Sequence, residues 1–157
     1  MSTPDFILAL REKIGTDPLW LPGVTAVTTR GDEVLLVRRA DDGSWTPVTG
    51  IIDPGEEPAD AAVRETLEEA GVTAEPVRVA RVGVTDVVVY ANGDRTQYTD
   101  ITFGLRWVSG EPHPADGENT EARWFALDDL PDMTADMRGR VAAALEDGPT
   151  SFGWSGA

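Results

Sequence analysis

Cysteine is absent from this 157-residue chain, which removes disulfides and thiol chemistry from consideration. Histidine is nearly absent. His113 stands alone in GEPHPADG, cannot build a histidine metal cluster by itself, and reads as a surface residue. Basic residues are scarce, 13 against 28 acidic ones, and the net charge of −15 argues against unaided binding to long nucleic acid or to an anionic membrane. A polyphosphate ligand would then need divalent cations and local arginines. Long apolar runs are missing too: no stretch has the length needed to span a bilayer. The start, MSTPDFILALREKIG, lacks the basic region and long apolar core of a secretory signal. A cytoplasmic location is the expectation, with no membrane partner.

What is present suits one globular domain over residues 1–157, with an ordinary 41% of hydrophobic residues and no internal repeat. Phe6, Ile7, Leu10 and Ile14 recur at helical spacing, so residues 1–15 are expected to carry an amphipathic helix packed on the domain or on a second subunit. Monomer and homodimer both stay open. Residues 16–23 read as a Pro-interrupted extended linker with Trp20 as a packing anchor. Val24–Thr29 and Glu33–Arg39 form a hairpin around Arg30-Gly31-Asp32. The run Val34-Leu35-Leu36-Val37 predicts a strand covered on both faces. Trp45 is expected to wedge the following loop. Residues 77–90 read as one long strand, followed by a turn at Asn92-Gly93. The return strand alternates Ile101, Phe103, Leu105 and Trp107 with Asp100, Thr102 and Arg106, so its polar face should meet solvent or a cleft. Residues 121–127 form a short strand and 134–146 a helix. Residues 148–157, rich in Gly and Ser, are expected to be a flexible tail in which Phe152 and Trp154 dock on the body or on another subunit. This order of elements fits an α/β or α+β domain.

The most informative stretch is GIIDPGEEPADAAVRETLEEAGV, residues 50–72. A Gly/Pro-rich loop leads into a helix, with Pro58 suited to the first helical position and Gly71 to the left-handed position past the last turn. Glu65, Glu68 and Glu69 fall at i, i+3 and i+4 on one face, while Ala59, Val63, Leu67 and Ala70 read as the buried stripe. Like charges at this spacing cost a few tenths of a kcal/mol per pair, about 0.2–0.5, unless a cation lies between them. Hard divalent cations take such oxygen ligands.

In its Gly50, Glu56, Arg64-Glu65, Glu68-Glu69 and Gly71 spacing, the stretch resembles the signature of the Nudix, or MutT-like, hydrolases. Two positions depart from that pattern. Thr66 replaces a bulky aliphatic residue on the core side, and Pro47-Val48-Thr49-Gly50 replaces Pro-x-Gly-Gly. The resemblance implies an α/β/α sandwich with a mixed β-sheet between helices. It also implies a Mg²⁺-dependent pyrophosphohydrolase, with Mn²⁺ as a possible substitute, acting on a nucleoside diphosphate linked to another moiety. Glu65, Glu68 and Glu69 would then hold the cation and carry catalysis. The carbonyl of Thr49 would add a backbone ligand if its angle is accessible to Thr, and Glu118 a further carboxylate. Glu56 and Arg64 would pair structurally, with Gly50 and Gly71 shaping the two ends. Either Glu65 or an acid of the Asp116–Glu121 region would serve as general base.

Of the strand-end pair Arg38-Arg39, the resemblance favours Arg39 as the phosphate contact, which guanidinium geometry permits. Tyr90, eighteen residues past Val72, matches a tyrosine typical of family members that cleave dinucleoside polyphosphates. The proline typical of ADP-ribose hydrolases and the extra motif of coenzyme A hydrolases are missing. An isopentenyl diphosphate isomerase of this fold would need cysteine. A non-catalytic nucleotide sensor would show a lost motif glutamate, and none is lost. The expected partner is a small nucleotide or nucleotide derivative.

Overall fold

The computed structural model describes residues 3–156; Met1, Ser2 and Ala157, the outermost positions of the expected N-terminal helix and tail, lie outside them. In chain order the elements are α1 (Asp5–Ile14), β1 (Leu19–Arg30), β2 (Glu33–Arg39), β3 (Trp45–Thr46), β4 (Val48–Ile51), α2 (Pro58–Ala70), β5 (Thr73–Val84), β6 (Val88–Val89), β7 (Arg95–Ser109), β8 (Asn119–Ala126), α3 (Ala135–Leu145) and β9 (Ser151–Phe152).

One mixed sheet carries the domain. Its path is β3-β2-β1-β7-β5-β9, with β4 on β1, β6 on β7 and β8 on β2. The spine is a parallel pair, β1 with β7, in register from Leu19 opposite Thr96 to Thr29 opposite Arg106. β5 returns antiparallel on β7, and β8 antiparallel on β2. Helix α2 covers one face of the sheet and α3 the other, which is the expected α/β/α sandwich. The apolar run in β2 shows why the chain is forced into three layers. Leu35 and Val37 enter the core under α2, while Val34 and Leu36 enter the core under α3. Neighbouring strand residues point to opposite faces, so a continuous apolar run is stable only with cover on both sides. Each such side chain contributes about 1.5–3 kcal/mol on burial.

Several local expectations hold. Trp45 has the packing role expected of it, but against Phe125 of β8 rather than the following loop, edge-on with ring centroids 4.8 Å apart. The Asn92-Gly93 turn closes with Tyr90 N–H donating to the Asp94 carbonyl at 2.9 Å. The helix expected over 134–146 is α3, Ala135–Leu145, and the Thr134 hydroxyl caps it by accepting from Met137 N–H.

Others are corrected. Residues 19–23 already belong to β1, and Trp20 is no anchor, because 58% of it is exposed. The long strand after α2 stops at Val84, because the Thr85 side chain intervenes. Its hydroxyl accepts from Tyr98 N–H at 3.0 Å and donates to the Asp86 carbonyl, occupying a backbone donor that the ladder would use. The face of β7 bearing Asp100 and Thr102 does not meet solvent; both residues are buried under α3. Residues 151–152 of the tail pair with β5 at Arg81 and Val82.

The stripe expected for α2 is rotated. Its buried residues are Ala61, Ala62, Glu65, Thr66, Glu69 and Ala70, whereas Leu67 is 51% exposed. The helix therefore turns two of its carboxylates, not its leucine, toward the sheet. Small Ala61 and Ala62 allow that close approach. Thr66 satisfies its hydroxyl by donating to the Ala62 carbonyl at 2.8 Å, which lets a polar residue occupy an aliphatic position.

Candidate active site

Arg64 ties the entry loop to α2. Its Nε and Nη2 donate to the two oxygens of Glu56 at 2.7 and 2.8 Å, the bidentate geometry that makes guanidinium–carboxylate pairs specific. Glu56 in turn accepts from Asp53 N–H at 3.1 Å. Arg64 also donates to Glu65 at 2.9 Å, to Glu68 at 3.2 Å and to the Ile51 carbonyl at 3.3 Å. Its hydrogen bonds to Glu56 hold it firmly charged, and the same contact keeps the Glu56 carboxyl below its ordinary range. This is the structural pair expected from sequence.

Gly50 has a specific reason to be glycine. A Cβ there would overlap the Glu65 carboxyl, so the side chain of α2 lies directly on the backbone of β4. Glu65 is wholly buried, and its Oε2 has no hydrogen-bond partner among the described residues. Burial pushes its carboxyl up to about 8, against the opposing pull of Arg64. Thr49, the departure next to Gly50, lies in β4 opposite Thr25, and no non-glycine residue described has a positive φ. The angle condition set on Thr49 is met.

Glu69 is also buried. It accepts from Asn119 Nδ2 at 3.0 Å, and burial pushes its carboxyl up to about 7, with Asp116 and Glu118 adding to the effect. Ligand oxygens of Glu69, Asp116 and Glu118 lie within 4.8 Å of one another. The loop carrying the last two is fastened to the end of α2. His113 N–H donates to the Ala70 carbonyl and Ala115 N–H to the Glu69 carbonyl, both at 3.1 Å, filling acceptors that a helix end leaves open. The His113 ring lies over Gly71, where a Cβ would strike it. Gly71 itself has φ 66°, the left-handed cap expected of it. The lone histidine, although exposed, is thus part of the loop's seat.

The structure places the sequence-predicted residues unevenly. Glu69 and Glu118 come together. Glu65 and Glu68 share Arg64 as a partner, and Glu68 is the more exposed, its side chain 46% accessible. Arg39 is half-buried and bonded to Asp41 at 2.9 and 2.5 Å, a contact that holds it charged against partial burial; the nearby Tyr90 phenol acts in the same direction. Tyr90 shares a 2.8 Å hydroxyl–hydroxyl hydrogen bond with Tyr98, whose phenol burial pushes up. Asn119, which the structure brings to Glu69, stands in no sequence motif. Asp116, in sequence one acid of the 116–121 loop, joins Glu69 and Glu118 in the structure.

A carboxylate-bearing helix laid across a glycine of a mixed sheet, with a second acidic loop locked to its end, defines a MutT-like domain. A NUDIX domain model matches residues 19–145. The NAD-capped RNA hydrolase NudC of Pseudomonas aeruginosa is 33% identical over 120 residues, covering 75% of this chain but 40% of the relative. The chain therefore spans about two fifths of the length of such relatives. Among solved structures, an ADP-ribose pyrophosphatase from Streptococcus suis matches with TM-score 0.65 and 25% identity, over 85% of this chain and 98% of that one. A UDP-X diphosphatase matches in fold with TM-score 0.69 and 20% identity, over 95% of this chain and 74% of that one. The chain belongs to the NUDIX family of hydrolases.

Proposed function

We propose that this protein is a Mg²⁺-dependent pyrophosphohydrolase that splits the diphosphate of a nucleoside diphosphate joined to a second moiety, with Mn²⁺ able to replace Mg²⁺. The observation that carries the reading is the excess of inward-facing carboxylates. Glu65 and Glu69 are buried, and Asp116 and Glu118 stand beside Glu69. The donor set is all oxygen, which suits a hard cation. The orphaned Glu65 Oε2 and the raised carboxyls of Glu65 and Glu69 describe a site whose negative charge lacks compensation. A divalent ion bound there supplies charge neutralisation for phosphate oxygens and a more acidic attacking water.

The chain's own residues divide the remaining work. Glu65, Glu68 and Glu69 hold the cation, with the Thr49 carbonyl and Glu118 as further ligands. Glu65 or an acid of the 116–121 loop takes the proton of the attacking water. Arg39 binds a phosphate by exchanging its partner Asp41 for substrate, and Tyr90 lines the nucleoside side. Arg64 with Glu56 keeps the helix and entry loop in register.

The substrates named for two of the relatives, NAD-capped RNA and ADP-ribose, share a nucleoside diphosphate linked to another group. That shared portion is the substrate class proposed here. A chain of net charge −15 gains no general attraction to an RNA backbone, so recognition is assigned to the nucleoside diphosphate portion rather than to long nucleic acid. No helix among the described residues is long and apolar enough to cross a membrane. A cytoplasmic location is part of the proposal.

The test offers purified protein and Mg²⁺ a panel of ADP-ribose, NDP-sugars, dinucleoside polyphosphates, NADH and oxidised nucleoside triphosphates, with turnover run in ¹⁸O-water. The expected result is cleavage between two phosphorus atoms, label in a phosphate product, and complete loss of turnover in EDTA. Binding without turnover under Mg²⁺ or Mn²⁺ would make the domain a nucleotide sensor. Turnover that survives EDTA would refute the cation's role.

A further inference from the structure

The pairing of β2 with β8 is regular from Glu33 opposite Ala126 to Arg38 opposite Glu121, then skips a residue, so that Arg39 faces Asn119. Thr120 is the extra residue of a β-bulge. Its consequence follows from strand parity. Ala122 is buried and belongs to the core under α2, with Trp124 packed against it. Alternation along β8 would point Thr120 to that same face and Asn119 away from it. The bulge reverses the order: Thr120 is exposed, its hydroxyl directed at the Arg38 carbonyl, and Asn119 turns inward, 7% exposed, to donate to Glu69. Bulges beside active sites commonly re-aim a side chain in this way.

Asn119 therefore sits where three parts of the site meet. It faces Arg39 across the ladder, follows Glu118 in the chain, and bonds Glu69 on α2. The backbone step is fixed from the other side as well, since Ala40 N–H donates to the Glu118 carbonyl at 2.9 Å. An amide donor is well suited to this place. It binds a carboxylate without bringing a positive charge of its own, so Glu69 loses its freedom to rotate while its second oxygen stays open to a cation. An arginine or lysine there would consume the charge that a cation needs.

We propose that the β8 bulge and Asn119 form a positioning device, in which the amide of Asn119 fixes the rotamer of Glu69 so that its carboxylate meets those of Asp116 and Glu118. The inference rests on the proposed cation-dependent function and adds a residue that acts through Glu69 rather than on substrate. Partners of this kind typically change metal affinity by about 10–100-fold when removed.

The test compares wild type with Asn119→Leu, similar in size but without a donor, and Asn119→Ala, in case the leucine variant does not fold. Arg123→Ala, at an exposed residue of β8 outside the bulge, serves as a control. Mn²⁺ affinity is read by electron paramagnetic resonance without substrate, thermal stability by calorimetry, and turnover across a Mg²⁺ titration. The expected result is an Mn²⁺ dissociation constant raised roughly 10–100-fold in the Asn119 variants. The Mg²⁺ requirement should rise in parallel, with turnover recovering at high Mg²⁺ and the control unchanged. A merely structural role would not be rescued by metal. Wild-type Mn²⁺ affinity retained in a folded Asn119 variant overturns the positioning role alone. Failure of the wild type to bind Mn²⁺ overturns it together with the cation-dependent reading.

Discussion

The two faces of the sheet each bury charge, and they do so in opposite ways. Under α3, Arg140 and Asp100 are almost fully enclosed. Arg140 donates to Asp100 and to the Thr25 hydroxyl, each at 2.8 Å, and to Asp136 at 3.0 and 2.5 Å. The Thr25 and Thr102 hydroxyls supply the remaining donors to Asp100 at 2.6 and 2.8 Å. Every nitrogen and oxygen of this cluster is used, and opposite charges meet within it. Under α2 the balance fails. Arg64 is shared among Glu56, Glu65 and Glu68; Glu69 has an amide; and one oxygen of Glu65 has no partner among the described residues. A closed network has nothing left to offer a ligand and acts as a latch between helix and sheet. An open one costs stability and is retained where a ligand completes it.

The largest expected effect lies on the open face. Glu65→Gln and Glu69→Gln should each lower kcat by roughly 10²–10⁴, the loss typical of a missing acid–base or charge-stabilising group. Folding stability should stay level or rise, because each change removes an uncompensated buried charge. Full activity in both variants would end the assignment of α2 as the catalytic helix.

The closed face should answer in reverse. Asp100→Ala strands the Arg140 charge among fewer acceptors and should cost about 3–5 kcal/mol in urea unfolding. Catalysis should persist wherever the variant remains folded. Replacing both members, as Asp100→Leu with Arg140→Met, should recover much of that loss, since apolar packing often matches a buried ion pair. A double variant as weak as the single one would show that the network does more than neutralise itself.

Protons distinguish the faces next. Glu65 and Glu69 are pushed from an ordinary 4.5 up to about 8 and about 7. Between those limits the unfolded chain binds fewer protons at these sites than the folded chain. In EDTA, the stability that these two groups contribute should therefore be fully present below about pH 4.5 and be lost as pH rises toward 8. The pH series of melting temperatures should flatten in Glu65→Gln and when Mg²⁺ is restored. A chelated wild type that gains stability over the same range would contradict the uncompensated charge.

The smallest effect concerns Arg39, whose contact with Asp41 must be exchanged to bind a phosphate. Arg39→Ala should raise KM about tenfold, near 1.4 kcal/mol, with kcat little changed. Unaltered steady-state kinetics would leave Arg39 as a partner of Asp41 only.

Much of this was legible in the chain itself. The helix with its Pro58 start and Gly71 stop, the Glu56–Arg64 pair and the doubly covered strand at Val34–Val37 follow from local rules of capping, charge and alternation. These rules act over a few residues and need no knowledge of what lies above. Two features were not available that way. The rotation of α2, which buries Glu65 in place of Leu67, depends on Gly50 of another strand making room for a carboxylate. The inward turn of Asn119 depends on one skipped residue in β8, and a single-residue slip reverses every side chain beyond it. By itself the sequence determined the acidic helix, because that is written in spacing along one segment, and through the resemblance of that segment it determined the family, which implies the sandwich. Tertiary structure alone decided which carboxylates are buried, which of them Asp116 and Asn119 join, and that Arg140 closes the opposite face, because those outcomes depend on contacts between segments far apart in the chain.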